Sequence, residues 1–152
     1  MSFFTPATIE LTGRILLGGD VERIFPLFSP LGEKLWVPGW NPRIIHPEGA
    51  DWEEGMIFLT GEESGEAVWR VTRLDLASHE VVYHRLEPLR YVARVEVRCR
   101  EAWGGSTEAT VRYSFIGLTD EGNREIAAMT QEAYDAKMGR WKEWIRSALQ
   151  RV

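Results

Sequence analysis

The chain changes its hydrophobic period once, and that change constrains the fold more than any other feature. Through about Leu118 apolar residues alternate at the two-residue spacing of strands, whereas from Glu121 to about Gln150 they recur every three or four residues. Over this last stretch Ala127, Thr130, Tyr134, Met138, Trp141, Ile145 and Leu149 make one stripe, and Glu125, Glu132, Asp135, Arg140, Glu143 and Arg146 fall elsewhere. The spacing predicts one uninterrupted helix with a single buried face. Such a helix reaches about 43 Å at about 1.5 Å per residue, while a seven-stranded sheet is only about 29 Å across at about 4.8 Å per strand. A helix about 10 Å wide cannot cover that sheet laid flat, so the sheet must curl round it and leave an apolar hollow between them. The hollow is the expected functional site.

Upstream, Ile9, Leu11, Gly13, Ile15 and Leu17 alternate over Ala7 to Leu17 as an opening strand that Gly18-Gly19 ends. Asp20 is placed to cap a short helix over Val21 to Phe28, which Pro26 keeps short, and Ser29-Pro30 supplies an N-cap and first-turn proline for a second. Both end in Trp36-Val37-Pro38-Gly39-Trp40-Asn41-Pro42, where two prolines and a glycine forbid regular structure and hold two indoles close together. Strands follow near Arg43 to His46, Met56 to Glu62, Ala67 to Leu74, Val81 to Glu87, Arg90 to Ala102 and Thr107 to Leu118. Acidic, glycine-containing turns at Ala50 to Gly55 and Gly61 to Gly65 separate them.

The last two strands show the clearest two-sided pattern. Tyr91, Ala93, Val95, Val97 and Cys99 share one face, as do Ala109, Val111, Tyr113 and Phe115, so odd residues point inward. Their hairpin must therefore pair odd with odd, through a three-residue Trp103-Gly104-Gly105 loop with Gly105 left-handed. That register sets Arg100 against Glu108 and Glu96 against Arg112. Ala67, Trp69 and Val71 extend the inner face. The Val81 to Glu87 strand does not declare its inward side, since Val81 and Tyr83 compete with Val82 and Leu86.

A length of 152 residues, 44% of them hydrophobic, suits one domain over residues 1–152. The net charge is -5, and Lys and Arg are scattered without a basic block, which argues against nucleic acid and anionic membrane surfaces as partners. Cys99 is the one cysteine, the first 17 residues lack signal-peptide organisation, and no apolar run approaches the ~20 residues that span a bilayer, so a cytoplasmic protein without membrane insertion is expected.

The segment from Val21 to Pro42, with its helix pair and Trp36-Val37-Pro38-Gly39-Trp40 loop, resembles the helix–helix–loop region of START-like (SRPBCC) proteins. The strand order and the long final helix resemble that superfamily over nearly the whole chain. The resemblance implies an α+β helix-grip fold: an antiparallel, curved, seven-stranded sheet wrapped around the C-terminal helix, with two short helices after the first strand. Members include polyketide cyclases and dehydrases, lipid carriers, pollen allergens and chaperone partners, so the fold does not by itself choose a function. A calycin-like barrel is the structural alternative, disfavoured by the two early helices.

The candidate ligand-binding residues are aromatic or soft: Trp36 and Trp40 at the cavity mouth, Phe58, Trp69, Tyr83, Tyr91, Tyr113 and Phe115 from the sheet, and Tyr134, Met138 and Trp141 from the helix. Ordinary core packing is the competing role for each. Buried tyrosine hydroxyls need partners, which a ligand oxygen, a water or a backbone carbonyl can supply. His46, His79 and His84 lack the spacing and company of a zinc site, so neither a metal nor a cofactor is expected. His84 is the best acid–base candidate of the three, and a solvent-facing position is its competing role. Arg43, Arg70 and Arg85 are candidate cations for a ligand carboxylate or enolate. Ser29 and Ser64 have no nucleophile context, and Cys99 fits inert packing. Three functions follow: a binding protein for an apolar or aromatic small molecule, a cyclase or dehydratase working through a cavity Tyr, His or Arg, and a partner-binding module like chaperone cofactors. Monomer and homodimer are both open, with Trp52 and Trp103 as possible dimer anchors.

Overall fold

The computed structural model describes residues 3–62 and 65–151. Strand β1 (Thr8–Gly18) leads into helix α1 (Val21–Ile24) and two 3-10 turns, Phe25–Phe28 and Gly32–Leu35. Then come β2 (Arg43–His46), β3 (Ile57–Glu62), β4 (Gly65–Asp75), β5 (Glu80–Glu87), β6 (Tyr91–Ala102) and β7 (Ser106–Gly117), followed by α2 (Asp120–Ala127) and α3 (Gln131–Arg151). The strands form one antiparallel sheet in the order β1-β7-β6-β5-β4-β3-β2. β1 and β2 are its two open edges, so the barrel alternative is ruled out. The segment between them, Gly19 to Pro42, carries the chain from one edge of the sheet to the other. Of the expected 61–65 turn, Glu63 and Ser64 lie outside the described residues.

Local chemistry accounts for the short elements. Asp20 Oδ1 accepts from Arg23 N at 2.9 Å and caps α1. Pro26 turns the helix into a 3-10 turn at once, because its nitrogen has no proton to donate. Ser29 Oγ accepts from Gly32 N at 2.9 Å, which is the expected capping contact, although what it starts is a single 3-10 turn with Pro30 ahead of it. The β6–β7 hairpin has the expected register, with Arg100 opposite Glu108 and Glu96 opposite Arg112 across a three-residue loop. Both Gly104 and Gly105 are left-handed, at φ 72° and 74°.

The final helical run is broken, contrary to the single helix its periodicity suggests. α2 stops at Ala127, and Thr130 starts α3 afresh by accepting from Ala133 N through Oγ1 at 3.1 Å. Ala127 and Thr130 are therefore exposed, and Ile126 is buried instead. Gln131 Nε2 reaches back to Thr12 O on edge strand β1, which fixes where α3 begins. From there Tyr134, Met138, Ile145 and Ala148 are buried, with Trp141 and Leu149 half-buried. At 21 residues α3 still reaches about 31 Å, enough to cross the sheet. Gly13 gives it room against β1: a Cβ there would lie 2.6 Å from Met138 Cγ.

The sheet's inner face is the core. Ala93, Val95, Val97 and Cys99 of β6 and Ala109, Val111, Tyr113 and Phe115 of β7 are buried as the alternation requires. Trp52 departs from its expected place on an exposed turn, since it packs on Phe25 and donates through Nε1 to Tyr83 Oη at 3.1 Å. Trp103 is 88% exposed.

Candidate functional site

Strand β5 decides what the site contains. Val81, Tyr83, Arg85 and Glu87 stand opposite Val97, Val95, Ala93 and Tyr91 of β6, all inner-face residues, so the inward side of β5 ends in an arginine and a glutamate. The ambiguity in its sequence has a cause. A bulge in β4 sets Val71 opposite Tyr83 but Arg73 opposite Val82, and Val82 is buried beside it, so three successive residues of β5 are buried.

Around Arg85 lies a cavity of about 680 Å³ between the sheet, α3 and the loop Val37–Asn41. Four of the expected aromatics line it: Trp40, Trp69, Tyr113 and Trp141. Trp40 meets Trp69 edge to face, with centroids 5.6 Å apart, and Trp69 Nε1 donates to Thr60 Oγ1 at 2.9 Å, which holds its ring still. The Arg85 guanidinium lies 5.2, 5.7 and 5.9 Å from the ring centres of Trp69, Tyr91 and Tyr113. Its Nε is 3.0 Å from Glu87 Oε2 but out of line for a hydrogen bond, and its Nη2 makes only a long bond, 3.4 Å, to Tyr91 Oη. The cation is held by ring faces and by the charge of the Glu87 carboxylate, and its hydrogen-bond donors are poorly used.

Two further ionisable side chains face the same space. Lys137 Nζ sits 4.0 Å from the Tyr113 centroid and 5.4 Å from that of Trp141, with no carboxylate in ion-pair range among the described residues. Burial lowers its ammonium pKa to about 8, helped by the charges of Arg85 and Arg140 and opposed by Glu33. Glu33 lines the cavity from the second 3-10 turn, and its own burial lifts its carboxyl well above the usual range, with Lys137 pulling the other way. Neither is among the residues expected from the sequence. Lys137 was legible, because it stands three residues after Tyr134 and four before Trp141, on the flank of the buried stripe. Glu33 carried no comparable signal.

The remaining predicted residues lie around this cavity. Trp36 is buried beneath it, edge-on to Trp141 and Phe28, with its indole donating to Leu27 O at 2.7 Å. Phe58 stacks behind Trp69. Two tyrosine hydroxyls are spent on backbone carbonyls, Tyr83 on Phe28 O at 2.6 Å and Tyr134 on Val111 O at 2.7 Å. Tyr91 lies under Arg85, and Met138 packs at Gly13. Phe115 and Tyr134 line a second cleft, of about 190 Å³, beside the break at Met129 and Thr130. Tyr113 and Lys137 border both spaces.

His84 points to the other face of the sheet, with Nδ1 2.9 Å from Thr72 Oγ1, and burial together with Arg94 lowers its pKa. It is not in the cavity, nor is His79, which meets Glu22, nor exposed His46. Arg43 pairs with Glu66 on the surface and Arg70 is exposed, leaving Arg85 as the inward one of the three candidate arginines. Cys99 is buried, its thiol pushed up to about 12. Among the described residues no cluster of His, Cys, Asp and Glu is arranged to hold a metal ion, and no helix is long and apolar enough to cross a membrane.

The chain matches no family model, and no curated protein matches it. Solved structures do match in shape. A hypothetical protein from Helicobacter pylori superposes with a TM-score of 0.73 at 9% identity, over 91% of this chain and 86% of that one. Norcoclaurine synthase from Thalictrum flavum, in complex with dopamine and hydroxybenzaldehyde, gives 0.65 at 14% identity over 92% and 87%. The Zhui aromatase/cyclase from a Streptomyces species gives 0.65 at 16% over 95% and 96%. With its seven-stranded antiparallel sheet and long C-terminal helix, this chain shares the helix-grip fold of these structures.

Proposed function

We propose that the protein binds a planar aromatic small molecule in the main cavity, with a carboxylate, phenolate or carbonyl oxygen of the ligand directed at Arg85 and Lys137. The observation that carries this reading is the pairing of two under-used cations with four aromatic side chains around one cavity. Flat rings suit walls made of indole and phenol faces, and an oxygen acceptor would use donors that the protein leaves poorly bonded. An anionic ligand would also relieve the mutual repulsion of Arg85, Lys137 and Arg140. The norcoclaurine synthase neighbour, which holds dopamine and hydroxybenzaldehyde, supports aromatic small molecules as the ligand class.

Tryptophan-fluorescence titration with 2-naphthoate and with 2-methylnaphthalene tests this. The carboxylate should bind at least about tenfold more tightly, as expected for one charge-assisted hydrogen bond. Arg85→Gln should erase most of that difference. Equal affinity for the two compounds, or an unaffected Arg85→Gln protein, would contradict the reading.

A further inference from the structure

We infer that Lys137 Nζ forms an imine with the carbonyl carbon of an aromatic aldehyde or ketone held in the main cavity. The inference rests on the aromatic-ligand reading above and names the chemistry that the same cavity performs on one class of ligand. Its first support is position. The amine projects from α3 into a space walled by Trp40, Trp69 and Trp141, 4.0 Å from the Tyr113 ring centre, and has neither a hydrogen bond nor an ion pair to any described residue. A lysine that serves only as a surface charge or a structural tether has one or the other, or lies in solvent. Lys137 has neither, is half-buried, and lies against the rings of Tyr113 and Trp141, which strips part of its hydration as an amine nucleophile requires.

The second support is electrostatic. The groups that face Lys137 are Arg85 from β5, Tyr113 from β7, Tyr134 and Arg140 from its own helix, and Glu33 from the second 3-10 turn. Two are fixed cations, and Glu33 is held toward its neutral form by burial. The free amine is therefore well populated at about pH 8. In that state its lone pair is available for attack.

The step balances within the groups present. The amine lone pair adds to the carbonyl carbon, and the carbonyl π pair moves to oxygen, which takes a proton to give a carbinolamine. Nitrogen then loses a proton, its lone pair forms C=N as the C–OH bond breaks, the leaving oxygen takes a proton through the Glu33 carboxyl group and departs as water, and the iminium nitrogen gives its remaining proton back to the Glu33 carboxylate. The net change is carbonyl plus amine to imine plus water, with no oxidant or reductant. Arg85 stands in the same cavity to hold an oxygen substituent elsewhere on the ring.

The chain has three lysines, Lys34, Lys137 and Lys142, which makes the test direct. Wild-type protein is incubated with 2-naphthaldehyde and sodium cyanoborohydride, and the labelled lysine is located by peptide mass mapping. At about pH 8 Lys137 should be labelled more than about tenfold faster than Lys34 or Lys142, because it alone of the three stands in the cavity that holds the aldehyde and its own pKa is lowered to about 8. The rate should rise with pH through about 8, fall when 2-naphthoate occupies the cavity, and vanish in Lys137→Arg. Glu33→Gln should slow it several-fold. If 2-naphthoate binds but label spreads evenly over all three lysines, or is not displaced by 2-naphthoate, the imine is overturned and the binding reading stands. If 2-naphthoate does not bind and Lys137 is not labelled, both fall together.

Discussion

The two ends of the sheet's inner face follow the same alternation and do opposite things. At one end Val81 lies beside Val97, and Cys99 beside Ala109, a closed layer of small apolar side chains bordered by buried Thr107, whose hydroxyl donates to Gly19 O. At the other end the same inward positions are Arg85 and Glu87 on β5 and Tyr91 on β6, and the face opens into a cavity of about 680 Å³. A step of four residues along β5, from Val81 to Arg85, separates a packed core from a cationic pocket. Period alone says which way a side chain points; what stands there decides whether the space fills or stays open. Helix α3 repeats the contrast over two turns, with Lys137 above the cavity and Ile145 sealed in the core.

The sharpest way to break this contrast is at Ile145. It is fully buried, and Ile145→Ala should cost about 2–5 kcal/mol in chemical denaturation, the range for truncating a branched side chain in a closed core. A cost under about 1 kcal/mol would mean that this end is not packed as described.

Lys137→Met tests the opposite end of the same helix. The folded-state pKa of Lys137 is lowered to about 8, so the folded protein binds fewer protons than the unfolded chain between about 8 and the ordinary lysine value. Wild-type stability should therefore rise across that window. Below it the protonated amine is a cost, and the variant should be the more stable protein by about 2 kcal/mol after allowance for solvent screening. The advantage should shrink as pH climbs toward about 10. A variant less stable than wild type at pH 7 would contradict a desolvated amine.

Glu33 carries the reverse sign and a smaller effect. Its carboxyl pKa is raised, so its contribution to stability is present below the ordinary carboxylate range and lost as pH rises through that range toward the folded-state value. Glu33→Gln should match wild type near pH 4 and exceed it at neutral pH. Urea midpoints at the two pH values decide it, and identical midpoints would place Glu33 in solvent. Smallest of all is His84→Ala, which should change affinity for 2-naphthoate by less than about 0.5 kcal/mol, since this side chain is on the outer face beside Thr72. A larger loss would put His84 back among the candidates.

Much of the architecture was readable from spacing because period-2 and period-3.6 patterns are direct records of burial. The β6–β7 register, with Arg100 on Glu108 and Glu96 on Arg112, follows from an odd-on-odd core and a three-residue turn. The helix break was hidden because Ala127 and Thr130 continue the apolar spacing by coincidence, while Thr130 serves as a cap. The face of β5 was hidden by the bulge at Thr72, which lets Val82 be buried as well as Val81 and Tyr83. For the site, the aromatic wall was legible in Trp40, Trp69, Tyr113 and Trp141, but aromatic content cannot separate lining from core. Trp36, Phe58 and Tyr83 look the same in sequence and are packed beneath or behind it. Lys137 and Glu33 were obscured by the ordinary assumption that charged residues face water.

A crystal structure of the protein soaked with 2-naphthoate tests the central claim most directly. The naphthalene ring should lie between Trp40, Trp69 and Trp141, with its carboxylate within hydrogen-bonding distance of Arg85 or Lys137. A ring bound only in the cleft at Phe115 and Met129, or a main cavity that stays empty at saturating ligand, would contradict it.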